Sequence, residues 1–232
     1  MAGKRTAVCF MLSLLLFASA CAFPGKGSNS GETAVAGENQ AAESSAAAEE
    51  SDWRLILVNR WNPLPSDYQF EKEELSGGQA VDARIYPELQ QMFDDARAEG
   101  VTPHISSSYR TNAEQQEIMD DKIAEYEAQG YSADEAKTAA EEWVAIPGTS
   151  EHELGLAVDI TTNNWETQDA NIVWDWLNEN CWKYGFIRRY PEDKTDITGV
   201  INEPWHYRYV GKEAAKEIME QGICLEEYLG KQ

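Results

Sequence analysis

The sequence predicts an α+β domain, in which a small antiparallel sheet carries the polar motifs and helices flank it. Three observations predict this class. The 232 residues suit one domain of about 150–200 residues plus appendages. A hydrophobic fraction of 42% with eight Trp is enough to bury a core. Helical periodicities come first along the folded part, and short strand-like runs bearing the polar motifs follow them.

The first residues read as an address. Lys4 and Arg5 precede an uncharged run over residues 6–23, apolar through Val8, Phe10, Leu12, Leu14, Leu15, Leu16 and Phe17. A charged start, a short apolar stretch and the small residues Ala18, Ser19 and Ala20 make residues 1–20 a secretory signal peptide. Cys21 comes next, and small residues before a Cys resemble a bacterial lipobox, whose Cys is lipidated. Ala18 stands where that motif usually has Leu, and Ala18-x-Ala20 also suits ordinary signal peptidase, which would release a secreted protein. An uncleaved membrane anchor is the third reading. Residues 21–51 are rich in Gly, Ser, Ala and Glu and have almost nothing to bury, so they read as a flexible acidic linker. The expectation is an extracytoplasmic lipoprotein, held to the membrane through Cys21, with residues 52–232 as a folded domain that acts as a monomer.

Within that domain, residues 53–59 are an apolar run that reads as a strand. Residues 86–99 place Leu89, Met92, Phe93 and Ala96 at helical spacing, with Pro87 near the start and Gly100 just past the end. Residues 101–107 read as a strand. Thr111 or Asn112 caps a long helix that Gly130 breaks, and Ser132 caps a second helix over 133–144. Residues 146–155 are loop, 156–160 a strand, and 170–184 an amphipathic helix ended by Gly185. Strand-like runs at 186–190 and 205–210 and a helix at 212–221 close the chain. Cys181 and Cys224 either pair as a disulfide or stay as two buried thiols.

Composition excludes several functions. With 19 basic against 41 acidic residues the net charge is −22, the wrong sign for nucleic acid or an anionic membrane surface. Ser-x-x-Lys and Gly-x-Ser-x-Gly are both absent, and Leu156 stands where a His-Glu-x-x-His helix needs its second His. The two Cys of the domain lie outside the polar motifs. Two His and one Asp remain, with a Glu three residues before the second His. Catalytic zinc takes three such N/O ligands and leaves a position for water. His152, Asp159 and His206 can supply them, and Glu203 has the character of a base beside the metal. On a flat strand, positions 203 and 206 would face opposite sides, and Pro204 can break that register.

The residues alone leave a blander reading open. His152 could be a loop His bonded to neighbouring carboxylates, His206 a half-buried strand His, Asp159 a strand terminus and Glu203 a solvated acid. Glu151 and Glu153 read as solvated loop charges, His104 as structural, and Trp174, Trp176 and Trp182 as core.

Three segments together carry a resemblance: Ser107-Ser108-Tyr109-Arg110, Ser150 through Asp159 in the pattern Ser-x-His-x-x-Gly-x-Ala-x-Asp, and Glu203-Pro204-Trp205-His206. They resemble the zinc D,D-carboxypeptidases of the VanY type, relatives of lysostaphin-like peptidases and the hedgehog domain, over roughly residues 80–222. The resemblance implies Zn2+ held by His152, Asp159 and His206, with Glu203 as general base and acid. It also implies Arg110 beside the substrate carboxylate or oxyanion, and Gln115 and Ser150 in contact with the peptide. The implied substrate is a peptidoglycan stem peptide losing its C-terminal D-alanine. The same family includes L,D-carboxypeptidases acting on tetrapeptide stems. A wall-binding lipoprotein without activity is the alternative of another class, and it would be expected to lack a ligand or the base. A transporter's binding subunit is excluded, since residues 51–232 are too few for two lobes.

Overall fold

The computed structural model describes residues 52–164 and 168–231; the signal peptide expected over 1–20, Cys21 and the linker expected over 21–51 lie outside the described residues. The described residues form one compact unit. Its first segment corrects the strand expected over 53–59: Trp53–Leu55 is a 3-10 turn, Ile56 is extended, and residues 56–58 belong to no strand. The carbonyls that a neighbouring strand would have bonded are taken by a side chain instead. The Arg208 guanidinium donates to the carbonyl oxygens of Arg54 and Ile56 at 3.1 and 2.8 Å. Asn59 and Asn62 then close a tight turn, exchanging backbone bonds of 3.0 Å.

A hairpin absent from the sequence reading follows. β1 (Lys72–Glu74) pairs antiparallel with β2 (Ala80–Asp82) across Gly77 and Gly78, both at φ +77°. Strands of three residues are too short for alternation to register. α1 (Tyr86–Ala98) buries Leu89, Met92, Phe93 and Ala96, as the spacing predicts. After β3 (Pro103–Ser107) comes α2 (Asn112–Ala128), opened by a capping box in which Thr111 and Glu114 satisfy each other's backbone N–H. α3 (Ala133–Ala140) is capped at Ser132 and is shorter than the expected 133–144, because residues 141–144 turn away.

The remaining elements are β4 (Ala157–Thr162), α4 (Ala170–Asn180), a 3-10 turn Cys181–Tyr184, β5 (Phe186–Tyr190), the single-turn α5 (Thr195–Thr198), β6 (Glu203–Tyr209), α6 (Lys212–Gln221) and α7 (Leu225–Leu229). α7 was not expected from the sequence. β3, β4, β6 and β5 form one antiparallel sheet in that order. Alternation divides its faces. Val158, Ile160, Phe186 and Tyr207 join α1 and α4 in the main core, whereas Ile187 packs with Leu57, Ile218 and Leu225 in a second cluster. Asp159, His206 and Arg208 alternate with the main-core residues of β4 and β6 and so leave that core.

Of the two thiol alternatives, the structure has free Cys: Cys181 and Cys224 are both buried and unbridged. Trp176 lies in the main core, the Trp174 indole N–H donates to the Ile160 carbonyl at 2.8 Å, and Trp182 packs on the second cluster. His104 is exposed on β3.

Candidate active site

Strand register places two of the site's side chains side by side. Asp159 of β4 is the direct cross-strand partner of His206 in β6, and Ser107 of β3 pairs with Asp159 on its other flank. The third comes from the turn ahead of β4. Glu151–Leu154 is a 3-10 turn that Ser150 opens, its hydroxyl accepting from the His152 N–H at 3.3 Å. Gly155 ends the turn at φ +69°, and a Cβ there would stand 2.6 Å from the Phe70 ring and 3.1 Å from the Asp82 nitrogen. Its smallness admits Phe70 and the backbone of β2. Pairing between β5 and β6 slips between Arg188 and Tyr190, where Tyr190 lies opposite Glu203. That bulge in the Pro204 region brings Glu203 Oε2 within 3.6 Å of His206 Nδ1.

The imidazoles are set by their outward bonds. His152 Nδ1 lies 2.7 Å from the Ser108 carbonyl, which can only accept, so Nδ1 carries the proton and Nε2 presents its lone pair 3.4 Å from Asp159 Oδ2. Burial holds the His152 pKa below its ordinary value, in favour of the neutral form that ligates metals. His206 turns Nε2 toward Glu151 Oε2 at 3.4 Å and Nδ1 toward Asp159. The two rings meet edge to face at 4.9 Å. One ligand atom from each of His152, Asp159 and His206 lies within 4.8 Å of the other two.

This donor set fits zinc. His206 Nδ1 comes within 3.1 Å of Asp159 Oδ1 without aligning as a hydrogen bond, and that oxygen is buried with no partner. An orphaned carboxylate oxygen converging with two imidazole lone pairs is what a cation resolves, and two N and one O are zinc's usual ligands at a catalytic site.

Two further groups face the same space. Burial raises the Glu203 carboxyl above its ordinary pKa, against the pull of His206. Arg110 is fixed on two sides: Nε and Nη2 donate to Ser107 Oγ at 3.1 and 3.0 Å, and Nη1 donates to Gln115 Oε1 at 2.8 Å. Its Nη2 stands 3.6 Å from Asp159 Oδ2. The Gln115 amide N–H donates to the Ala145 carbonyl at 2.7 Å, which ties α2 to the loop over 141–149. Arg110, Gln115, Glu203 and the three ligand residues line a cleft of about 520 Å³ that also includes the exposed Trp61 and Trp143.

A family model described as VanY, D-alanyl-D-alanine carboxypeptidase, matches residues 78–212. The chain belongs to the VanY family. A D-alanyl-D-alanine carboxypeptidase of Enterococcus faecalis is 57% identical over 203 residues, which is 88% of this chain and 75% of that protein. VanYB in complex with D-alanine-D-alanine superposes with a TM-score of 0.74 at 60% identity, covering 78% of this chain and 99% of that one. A glutamate-to-alanine variant of VanY from the VanB-type vancomycin resistance cassette, in complex with Zn(II), gives 0.73 at 62% identity over 77% and 99%. The chain is accordingly a zinc metallopeptidase of the VanY type, built as α+β like these neighbours.

Sequence reading misjudged two acids of this VanY site. Glu151 and Glu153, expected as solvated loop charges, are 2% and 5% exposed. Glu153 accepts from the Gly148 N–H at 2.7 Å and from Asn112 Nδ2 at 3.0 Å, closing the loop onto α2. Glu151 Oε1 accepts from Arg189 Nε and Arg208 Nη1, both at 2.8 Å. Arg189 in turn makes a two-pronged bond to Glu226 of α7, at 2.8 and 2.6 Å. The four charges balance, and Arg189, Arg208 and Glu226 have no exposure at all.

Burial alone would raise the Glu151 pKa, but Arg189 and Arg208 overrule it and hold the group well below its ordinary 4.5. The unfolded chain therefore takes up a proton near pH 4.5 that the native state refuses. The stabilisation is complete above that pH and is lost as the pH falls toward the native value. Urea unfolding is expected to show a midpoint that drops steeply once the pH goes below about 4.5. A midpoint that stayed level down to pH 3 would contradict the ionised Glu151.

Proposed function

We propose that the chain is a zinc-dependent D,D-carboxypeptidase that removes the C-terminal D-alanine from peptidoglycan stem peptides. The observation that carries this reading is the convergence of His152, Asp159 and His206 at the floor of a cleft, with Glu203 and Arg110 facing the same space. Bound by those three residues, zinc supplies Lewis acidity for the scissile carbonyl and lowers the pKa of water.

Glu203 takes the proton of the attacking water. Its burial favours the protonated carboxyl, so it holds that proton until the departing amine accepts it. Arg110, braced by Ser107 and Gln115, offers its remaining N–H groups to the substrate's terminal carboxylate and to the developing oxyanion. A cation at that place selects a free C-terminus and makes the enzyme an exopeptidase. Gln115 positions Arg110 through its oxygen, and Ser150 keeps its hydroxyl proton for the peptide while capping the His152 turn. The wall-binding alternative expects a missing ligand or base, and all four residues stand together.

We also read the chain as an extracytoplasmic lipoprotein tethered through Cys21. Support comes from the charged, apolar and small-residue order of residues 1–21, followed by an acidic stretch with little to bury. Such a tether suits a substrate that lies outside the membrane.

The test uses zinc-loaded protein with three substrates: a pentapeptide stem, a tetrapeptide stem and the pentapeptide with an amidated C-terminus. Mass spectrometry is expected to show loss of one D-alanine from the free pentapeptide alone. Loss from the tetrapeptide alone would establish L,D specificity, and loss from neither stem would remove the peptidase reading.

A further inference from the structure

The buried carboxylate next to the metal-site histidine has no part in the reaction described above, yet among the described residues it is the acidic group that meets His206 Nε2, away from Asp159. Glu151 is 2% exposed and shares its two oxygens between two kinds of partner. Oε1 accepts from Arg189 and Arg208 at 2.8 Å each, and Oε2 faces His206 Nε2 at 3.4 Å. Both arginines can only donate, so Oε1 has to be an acceptor. At Oε2, an ionised carboxylate can also only accept, so the imidazole must present a proton at Nε2. In the neutral imidazole that ligates a metal, the proton on Nε2 leaves Nδ1 with its lone pair, 3.1 Å from Asp159 Oδ1.

From this chain of donors and acceptors we infer that Glu151 is a positioning residue that fixes the tautomer and orientation of His206 for metal binding. The inference rests on the zinc-site reading and specifies how that site is held. Histidine ligands are commonly oriented through the ring nitrogen that does not touch the ion, and losing such a partner typically lowers affinity by about 10–100-fold. What distinguishes this case is the clamp. Arg189 and Arg208 fix the carboxylate, and Tyr190 packs its ring 4.9 Å from the His206 ring, so neither partner can turn away.

Glu151→Gln supplies a direct test, because glutamine has only one acceptor oxygen. The two guanidinium groups claim it, and the amide NH2 then points at His206 Nε2. That reverses the tautomer, moving the proton to Nδ1, where it blocks ligation. Glu226→Gln serves as the comparison: it removes a carboxylate charge from the same buried group without touching His206.

Zinc affinity is measured by chelator competition for the wild type and both variants, with thermal unfolding of the metal-free proteins alongside. Glu151→Gln is expected to bind zinc about 10–100-fold more weakly, while Glu226→Gln stays near wild type at a comparable loss of stability. Equal affinity in Glu151→Gln and wild type, or equal losses in both variants, would overturn the inference. A wild type that binds no zinc would instead refute the metal site itself. Should Glu151→Gln fail to fold, nitrogen-15 NMR of the zinc-loaded wild type decides. A protected proton on His206 Nε2 supports the inference, and a proton on Nδ1 overturns it.

Discussion

Replacing Glu203 by alanine lowers kcat by about 10²–10⁴-fold and leaves zinc bound. Both halves follow from where the residue sits. Glu203 stands outside the set of three ligand atoms, with its carboxylate 3.6 Å from the ring of one ligand. Its removal deletes the group that moves the proton but none of the groups that hold the ion. The cavity left behind opens toward the cleft, so the fold loses little. Zinc content by elemental analysis and turnover on a pentapeptide stem measure the two halves separately. Zinc lost together with activity would make Glu203 a ligand, and a kcat within tenfold of wild type would place the base elsewhere.

The second large effect falls on stability. Arg189→Met is expected to cost about 3–5 kcal/mol, because one cation faces two buried carboxylates. Without it, among the described residues, Glu226 keeps the Asn59 amide at 3.2 Å, and Glu151 keeps Arg208 and the His206 ring. That cost is a large share of the roughly 5–15 kcal/mol that holds a domain folded. For a domain of this size it lowers Tm by about 6–20 °C. A shift below the lower bound in a thermal melt would mean that water or relaxation already screens the pair.

The contrast between these two residues shows what the sequence disclosed. Glu203, His152, Asp159 and His206 were readable because reaction chemistry restricts residue type and spacing within short segments. α1 was readable because burial of one face writes a helical period, and the starts of α2 and α3 because caps write Thr111 and Ser132. The Glu151 network was illegible for a physical reason: its partners lie 38 and 57 residues away along the chain. A lone Glu between Ser150 and His152 carries no local mark of burial. The same distance misled the reading of residues 53–59. Their apolar run resembles a strand, but the carbonyls find a guanidinium from β6 in place of a neighbouring backbone. Ser107 and Gln115 were visible as residues, whereas their shared grip on Arg110 required the fold.

The fork between Arg189 and Glu226 also has a bearing on how the polypeptide is made. Synthesis runs from the amino end, so every residue of the metal site is polymerised before the helix that pairs with Arg189 exists. A nascent or prematurely terminated product ending ahead of residue 226 would hold one guanidinium too many in its interior. Such fragments should be soft targets for quality-control proteases, and the buried charges are matched only once α7 is in place.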